Sequence, residues 1–443
     1  MTTPAVKIRI TEKGSRSGQS EYELGNHISL NHKDLEAYCW QRLSQVDVDL
    51  LVLAAAVALA DRRVRRRRAS GWARHLELDI PVHQPDQWNA VSPRIHETLE
   101  WLTGDLWEVQ FRARRKQDEA LQLFLPNKSA APDVAVSYSG GLDSFAYANR
   151  LREANTRALL VTTWHGGLQR VYPVGFERDA VRVPIRLRPG HEREPTYRTR
   201  PFLYFVACAL AAKMRGARRV VIPEPGQGAL GPSLIPFGNE HPYRGTHPGF
   251  THRLNALLKS LWHQAAPAFE HPNLWMTKAA LVREGVVKPK DELWKTTRSC
   301  SRDIARTKAL GRSAETRQCG VCGNCLLRRV SLEANHLNDE AYFWQDLRSS
   351  NLRARRPAVA TTRNDREVAT YAVLDLENLA RVPIAGAKAL LEPAIADVAT
   401  GLSVGRDTAS RNLKQLLSTH RIEWAQFVQK LPASSWVRVV AER

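Results

Sequence analysis

Ser139-Gly140-Gly141-Leu142-Asp143-Ser144 is the stretch on which the reading of this chain turns. It follows the apolar run Val134-Ala135-Val136 and opens the helix-like run Phe145 to Leu151. A strand, a glycine turn and a helix start in that order aim backbone N–H groups and the positive end of a helix dipole at one point, where a phosphate can sit. Gly140 and Gly141 let the backbone approach an anion closely. Ser139 and Ser144 add hydroxyl donors, and Asp143 is a candidate ligand for the magnesium that accompanies ATP. No Gly-Lys-Ser/Thr follows at the spacing of a Walker A loop, so the cradle is of another kind. The plainer alternative is a Gly-Gly turn with a serine N-cap. The flanking strand and helix patterns favour the phosphate reading.

Outward from that loop, the chain has 443 residues, too many for one ordinary core, so two or three domains are expected. The longest apolar run, Leu50 to Ala60, is too short to span a bilayer, and Met1 to Ser15 is polar and lacks a signal-peptide core. A cytoplasmic protein with no membrane partner is expected. The net charge is +20. Such a balance suits a polyanionic partner, and ATP, pyrophosphate and RNA all qualify. The arginines are nevertheless spread along the chain, and the densest run, Arg62-Arg63-Val64-Arg65-Arg66-Arg67-Arg68, fits a solvated face or pairing with acidic residues. With no recognisable RNA- or DNA-binding module, nucleic acid is not the favoured partner.

Of six cysteines, Cys39 and Cys208 stand alone in apolar surroundings and read as small buried hydrophobes. Cys319-Gly-Val-Cys322-Gly-Asn-Cys325 places three thiols on two-residue gaps, with glycines that allow tight turns. Cys300 upstream can close a tetrahedral four-cysteine site, in which zinc would be structural because no position is left open. An iron–sulfur cluster, which also takes four thiolates, is the alternative.

The hexapeptide 139–144 resembles the pyrophosphate loop of the PP-loop ATP pyrophosphatases. That loop followed downstream by a Cys…Cys-x-x-Cys-x-x-Cys set is similar to the 7-cyano-7-deazaguanine synthase (QueC) family. Arg198-Thr199-Arg200-Pro201-Phe202-Leu203 resembles that family's Arg-Asn helix start, and Leu274 to Val282, with Thr277-Lys278, resembles its Thr-Lys segment. Thr297-Arg298-Ser299-Cys300 resembles its Trp-Ser-Cys segment, and Cys325-Leu326-Leu327-Arg328-Arg329 its Cys-Arg ending. The likeness covers roughly Asp133 to Ala341. Three segments depart from it. Ser301 to Gln318 is longer than usual, and Pro223-Glu224-Pro225-Gly226-Gln227-Gly228 stands where the family has acidic substrate contacts. His247-Pro248-Gly249-Phe250 only loosely echoes its Gly-Tyr-Pro-Asp segment.

The resemblance implies an α/β fold of the PP-loop type, a parallel sheet with helices on both faces. It implies ATP-dependent adenylation of 7-carboxy-7-deazaguanine with release of pyrophosphate, ATP and Mg2+ at Ser139, Gly140, Gly141, Leu142, Asp143 and Ser144, and structural Zn2+ at Cys300, Cys319, Cys322 and Cys325. Asp143 and Ser144 are the expected catalytic residues, and Arg200 and Lys278 are candidates for phosphate or substrate contacts. Extended proteins of this type in bacterial antiphage systems (QatC-like) imply transfer of the acyl group to a protein amine, such as a partner's N-terminus. Free nitrile made from ammonia, a catalytically silent nucleotide-sensing scaffold and RNA thiolation are the competing readings. The last usually needs a reactive cysteine, whereas the clustered ones here read as metal-bound.

The chain then divides into three expected parts. Residues 1–130 read as an accessory α+β domain: strands at Val6–Ile10, His75–Ile80 and Trp107–Arg112, helices at Asp49–Arg63 and Trp88–Leu102, and Trp72, Trp88, Trp101 and Trp107 as core aromatics. Residues 131–346 carry the loop, alternating strands and helices from Ala158 to Ile222, and the cysteines; Trp164-His165-Gly166-Gly167 ends the second strand and could border an adenine. Residues 347–443 read as a basic linker to Asn364 and then helices at Arg366–Leu379, Gly386–Leu391 (stopped by Pro393), Ser410–Thr419 and Ile422–Leu431. These fit a helical cap or partner surface, with a helix-turn-helix as the alternative.

Overall fold

A computed structural model describes residues 4–12, 20–30, 35–36, 39, 42–66, 72–115, 130–162, 172–173, 176, 180–182, 185–188, 193–235, 241–290, 292–302, 318–339, 342–352, 361–382 and 388–442. Trp164 to Gly167, Arg67, Arg68 and Pro357 lie outside the described residues.

The amino-terminal part contributes β1 (Val6–Thr11), β2 (Glu21–Glu23), β3 (Ile28–Leu30), α1 (Gln45–Arg63), β4 (His75–Val82), α2 (Pro85–Thr103) and β5 (Leu106–Ala113). Strands β2-β1-β4-β5 form one sheet, and every pairing in it is parallel. The α+β expectation for this part is therefore corrected to α/β. The reason is connectivity: α1 precedes β4 and α2 links β4 to β5, and a crossover helix is what lets successive strands run the same way. α1 starts at a capping box in which Ser44 and Asp47 exchange side-chain and backbone hydrogen bonds. Its middle, Leu50 to Ala60, is buried on every side, which makes it a core helix.

The central part contributes β6 (Val134–Tyr138), α3 (Leu142–Glu153), β7 (Ala158–Thr162), β8 (Ala180–Arg182), β9 (Ile185–Leu187), α4 (Arg200–Arg215), β10 (Arg219–Val221), α5 (Pro248–Trp262), β11 (Ala268–Glu270), α6 (Lys278–Val282) and α7 (Gly323–Glu333). Its sheet has the order β11-β10-β6-β7-β8, again wholly parallel. Side chains alternate along these strands. Val134, Val136, Tyr138 and Leu160 pack with Tyr147, Ala148 and Leu151 of α3. Ala135, Leu159, Val161 and Val220 join α4 and α5 on the other face. Helices thus cover both faces of a parallel sheet.

The two sheets share one hydrophobic core, with α1 and α4 both inside it. β3 pairs antiparallel with β9, Ile28 opposite Leu187, so a strand from the first part hydrogen-bonds one from the second. Asp61 of α1 accepts from the backbone N–H of Thr199 at 2.9 Å, at the N-terminus of α4. Arg66 and Arg74 ion-pair with Asp61 and Asp105, all four almost fully buried. Part of the arginine run is thereby turned inward. Trp88 and Trp107 are core residues. Trp72 and Trp101 are only half-buried, Trp72 under Arg66 and Arg198 and Trp101 under Arg244 and Arg253, at ring distances that favour cation–π attraction.

The carboxy-terminal part is helical: α8 (Arg363–Arg381), α9 (Lys388–Leu402), α10 (Arg406–Gln429) and α11 (Trp436–Ala441). Three expectations fail here. Pro393 lies inside α9 instead of stopping it. It sits in the second turn, where only one intrahelical bond is forfeited, and Leu391, Ile395, Val398 and Ala399 pack on α10 around it. The expected gap between Thr419 and Ile422 is closed: α10 is one helix of 24 residues, held by Leu413, Leu416, Leu417, His420, Trp424 and Phe427 on its buried side. Leu347, expected in the linker, is buried in the core beneath α8 and α11. No helix among the described residues is long and apolar enough to cross a membrane.

Candidate active site and metal centre

In the order β11-β10-β6-β7-β8 the chain runs outward from β6 to β8 in one direction and later returns to β10 on its other side. The crevice at the carboxyl ends of β6 and β10 is therefore the point where the winding reverses, the place where ligands bind in open parallel sheets. Two segments border it: the loop 139–141, leaving β6, and 222–228, which leaves β10 and turns helical at Gly226.

The first loop folds as its residues dictate. Gly140 has φ +73°, and no heavy atom lies within 4 Å of where a Cβ would stand. That left-handed conformation is what glycine accepts at no cost. Gly141 is the N-cap of α3. Its N–H donates to Ser139 Oγ at 3.2 Å, and Ser144 Oγ donates to the Gly141 carbonyl at 3.1 Å. The two serine hydroxyls are 3.2 Å apart. The two serine hydroxyls thus cluster at the first turn of α3, the helix end that favours an anion.

Asp143, in the first turn of α3, faces across the crevice. Lys278 Nζ lies 2.5 Å from its Oδ2. The pair is sheltered, with side-chain exposures of 4% for the lysine and 15% for the aspartate. Asp143 Oδ1 is buried and has no hydrogen-bond partner among the described residues. Glu224 joins them from the second segment. Its carboxyl is pushed up to about 7, first by burial, then by the negative charge of Asp143, with Lys278 opposing. Gly228 makes room for it, since a Cβ there would sit 1.9 Å from Glu224 Oε1. Two carboxyls beside one ammonium, one of them with an orphaned oxygen, leave an appetite for a further cation.

Lys278 is set by its surroundings. Thr277 caps α6 by accepting from the N–H of Ala280 at 3.2 Å. Gln227 Oε1 accepts from the Lys278 N–H at 2.6 Å. Arg298, in the segment leading to Cys300, donates its N–H to the Gly140 carbonyl at 3.4 Å, which ties the loop to the metal region. Arg200 is elsewhere: it opens α4, is exposed, and lies among Tyr197, Tyr204 and Tyr243. No hydrogen bond or ion pair among the described residues joins it to 139–144.

The four cysteines come together as one cluster. The sulfurs of Cys300, Cys319, Cys322 and Cys325 all lie within 4.8 Å of one another, and Cys319 Sγ is 3.8 Å from Cys325 Sγ. A tetrahedron with Zn–S bonds of about 2.3 Å has edges of about 3.8 Å. Gly320 takes φ +92°, and the N–H groups of Val321 and Cys322 point at Cys319 Sγ at 3.5 and 3.4 Å. Such N–H groups stabilise thiolate charge. The cluster is thus positioned to hold a metal ion. Arg328, fully buried beside it, pairs with Asp339 at 2.8 Å and reaches Thr297 Oγ1 at 2.8 Å, so its role in the structure is to brace the segment before Cys300.

Glu224, Gln227, His420 and Glu423 are site neighbours that sequence reading did not single out by role. Glu224 and Gln227 carry a faint signal, a Pro- and Gly-rich stretch directly after an apolar strand. His420 and Glu423 carry none, because they arrive from a helix far along the chain.

No protein-family model, curated protein or solved structure matches the chain.

Proposed function

We propose that the chain is an AMP-forming ligase with the PP-loop type of α/β fold. It would adenylate the carboxylate of a 7-deazaguanine, 7-carboxy-7-deazaguanine, and pass the acyl group to an amine. The acceptor we favour is the N-terminal amine of a protein partner in bacterial antiphage defence. The observation that carries the reading is the sheltered Asp143–Lys278 pair beside the 139–144 loop at the switch point of a parallel sheet.

A substrate carboxylate oxygen attacks the α-phosphorus of ATP, and the bond from that phosphorus to the bridging oxygen of the β-phosphate breaks. The hydroxyls of Ser139 and Ser144 and the N–H groups opening α3 meet the charge that builds on departing pyrophosphate. Lys278 adds positive charge at the same place. Asp143 Oδ1, buried and without a partner among the described residues, suits Mg2+, which would supply further neutralisation of phosphate charge. In the second step the amine nitrogen attacks the acyl carbon, the bond to AMP breaks, and the amine gives up one proton. Glu224, titrating near neutrality, is fitted to take it. The metal we assign to Cys300, Cys319, Cys322 and Cys325 is Zn2+, with a structural part, since all four tetrahedral positions are filled.

The test is to mix the protein, ATP, 7-carboxy-7-deazaguanine and the protein encoded beside it, then weigh that partner intact. A gain of one deazaguanine acyl mass, absent with Asp143→Ala, is expected. Free nitrile with an unchanged partner would assign the ammonia-using reaction instead. Equal pyrophosphate release by the native and Asp143→Ala proteins would leave only a nucleotide-sensing scaffold.

A further inference from the structure

The helical part after residue 347 reaches the crevice itself. His420 and Glu423 stand three residues apart in α10, hence on one face of the helix. That face meets the Thr277–Lys278 peptide. Thr277 Oγ1 donates to Glu423 Oε1 at 2.6 Å while still accepting from Ala280 as the cap of α6. His420 Nε2 is 3.0 Å from the carbonyl of Leu376. A carbonyl only accepts, so Nε2 carries the proton and Nδ1 is left as an acceptor. Gln227 Nε2 donates to that Nδ1 at 2.9 Å, which leaves Gln227 Oε1 to accept from the Lys278 N–H at 2.6 Å. Every donor and acceptor along this chain of bonds has one consistent direction, from Lys278 through Gln227 and His420 to α8.

The packing leaves no slack. A Cβ at Gly226 would stand 2.1 Å from the Leu274 carbonyl oxygen and 2.4 Å from Leu416 Cδ2 of α10. The helix therefore presses directly on the segment that leaves β10. His420 is fully buried with its pKa lowered by burial, so its bonds are shielded from water, while Glu423 is half-buried.

From this we propose that α10 belongs to the catalytic unit: Glu423, through the Thr277 hydroxyl, and His420, through Gln227, are positioning residues that fix the Thr277–Lys278 segment and hold the Lys278 ammonium against Asp143. The carboxy-terminal helices are then required for the chemistry at 139–144, apart from any partner surface they offer. The inference deepens the proposed ligase function and rests on it for its kinetic consequence. Its structural content stands alone.

The experiment uses the full chain and the variants Glu423→Ala, Thr277→Val and Glu423→Gln. Each is exposed briefly to an amine-acetylating reagent, and acetylation of Lys278 is read by peptide mass spectrometry. Lys213, ion-paired to Asp47 at 2.7 Å in the last turn of α4, is the internal reference. Glu423→Ala and Thr277→Val are expected to raise labelling of Lys278 about tenfold while Lys213 is unchanged. Glu423→Gln keeps an oxygen for Thr277 and restores native protection. Pyrophosphate release by the first two variants is expected to lose about tenfold in kcat with KM for ATP held. Unchanged Lys278 labelling overturns the inference, and so does an equal rise at both lysines, which marks general loosening. If the native chain releases no pyrophosphate, the ligase reading falls while the labelling still decides the grip.

Discussion

At the scale of single residues, three ionisable groups, Asp143, Glu224 and Lys278, meet in one crevice. Lys278→Ala leaves Asp143 and Glu224 facing each other without their ammonium, and pyrophosphate release is expected to fall about a hundredfold with the fold retained. A measurement of kcat beside a thermal melt checks both parts. Glu224 makes a prediction in pH. Its carboxyl sits near 7 in the folded chain against an ordinary 4.5. Because the folded state holds this proton more tightly, its contribution to stability is full below about 4.5 and is lost as the pH rises toward 7. Glu224→Gln removes that loss, so the variant should gain on the native protein across this window by on the order of 1–3 kcal/mol and no further above it. Urea unfolding at stepped pH reads the difference, and parallel curves for the two proteins would refute it. What was legible at this scale was local. Ser139 to Ser144 and Cys319 to Cys325 each carry their chemistry within a few consecutive positions. Lys278 stands out only through a resemblance, and Glu423 and His420 are silent, since the site residues they bond, Thr277 and Gln227, lie more than a hundred positions away.

At the scale of elements, the site depends on how closely α3 is approached. The turn at Arg283–Val287 lies on α3, and a Cβ at Gly285 would stand 2.0 Å from the Ala146 carbonyl oxygen. Backbone cannot yield as a flexible side chain does. Gly285→Ala is expected to cost about 1–3 kcal/mol in denaturant unfolding and to reduce activity by shifting Asp143. Helix and strand positions followed from apolar period with errors mainly at their ends, as at α3, which begins at Leu142 and not at Phe145. The larger misreadings have one cause. Pro393 and the polar stretch around His420 look like breaks when taken alone, but tertiary packing of α9 on α10 outweighs a single lost bond or a polar turn. The parallel pairing of β1, β4 and β5 was likewise invisible in the alternation of each strand, because alternation reports a buried face and not a neighbour's direction.

At the scale of the whole molecule, the metal cluster and the carboxy-terminal helices form one core. Cys319, Cys322 and Cys325 pack with Val373 of α8, Trp424 of α10 and Val437 of α11. Since α10 also grips Lys278, the metal centre and the crevice are mechanically joined. One zinc per chain is expected by elemental analysis. Its removal by chelator, or Cys322→Ser, should lower the thermal midpoint by roughly 10 °C. The same treatment should raise acetylation of Lys278; a metal-free chain with native melting and native protection would break this link. Composition suggested several domains, yet the amino-terminal and central sheets share one core through α1, α4 and the β3–β9 pair. That union depends on contacts such as Asp61 with Thr199, which no local pattern announces. The central claim is that the 139–144 crevice turns a carboxylate into an acyl-adenylate. Supplying 7-carboxy-7-deazaguanine labelled with oxygen-18 in its carboxylate tests it most directly: the account predicts AMP carrying one labelled oxygen, and unlabelled AMP, or ADP with phosphate, would contradict it.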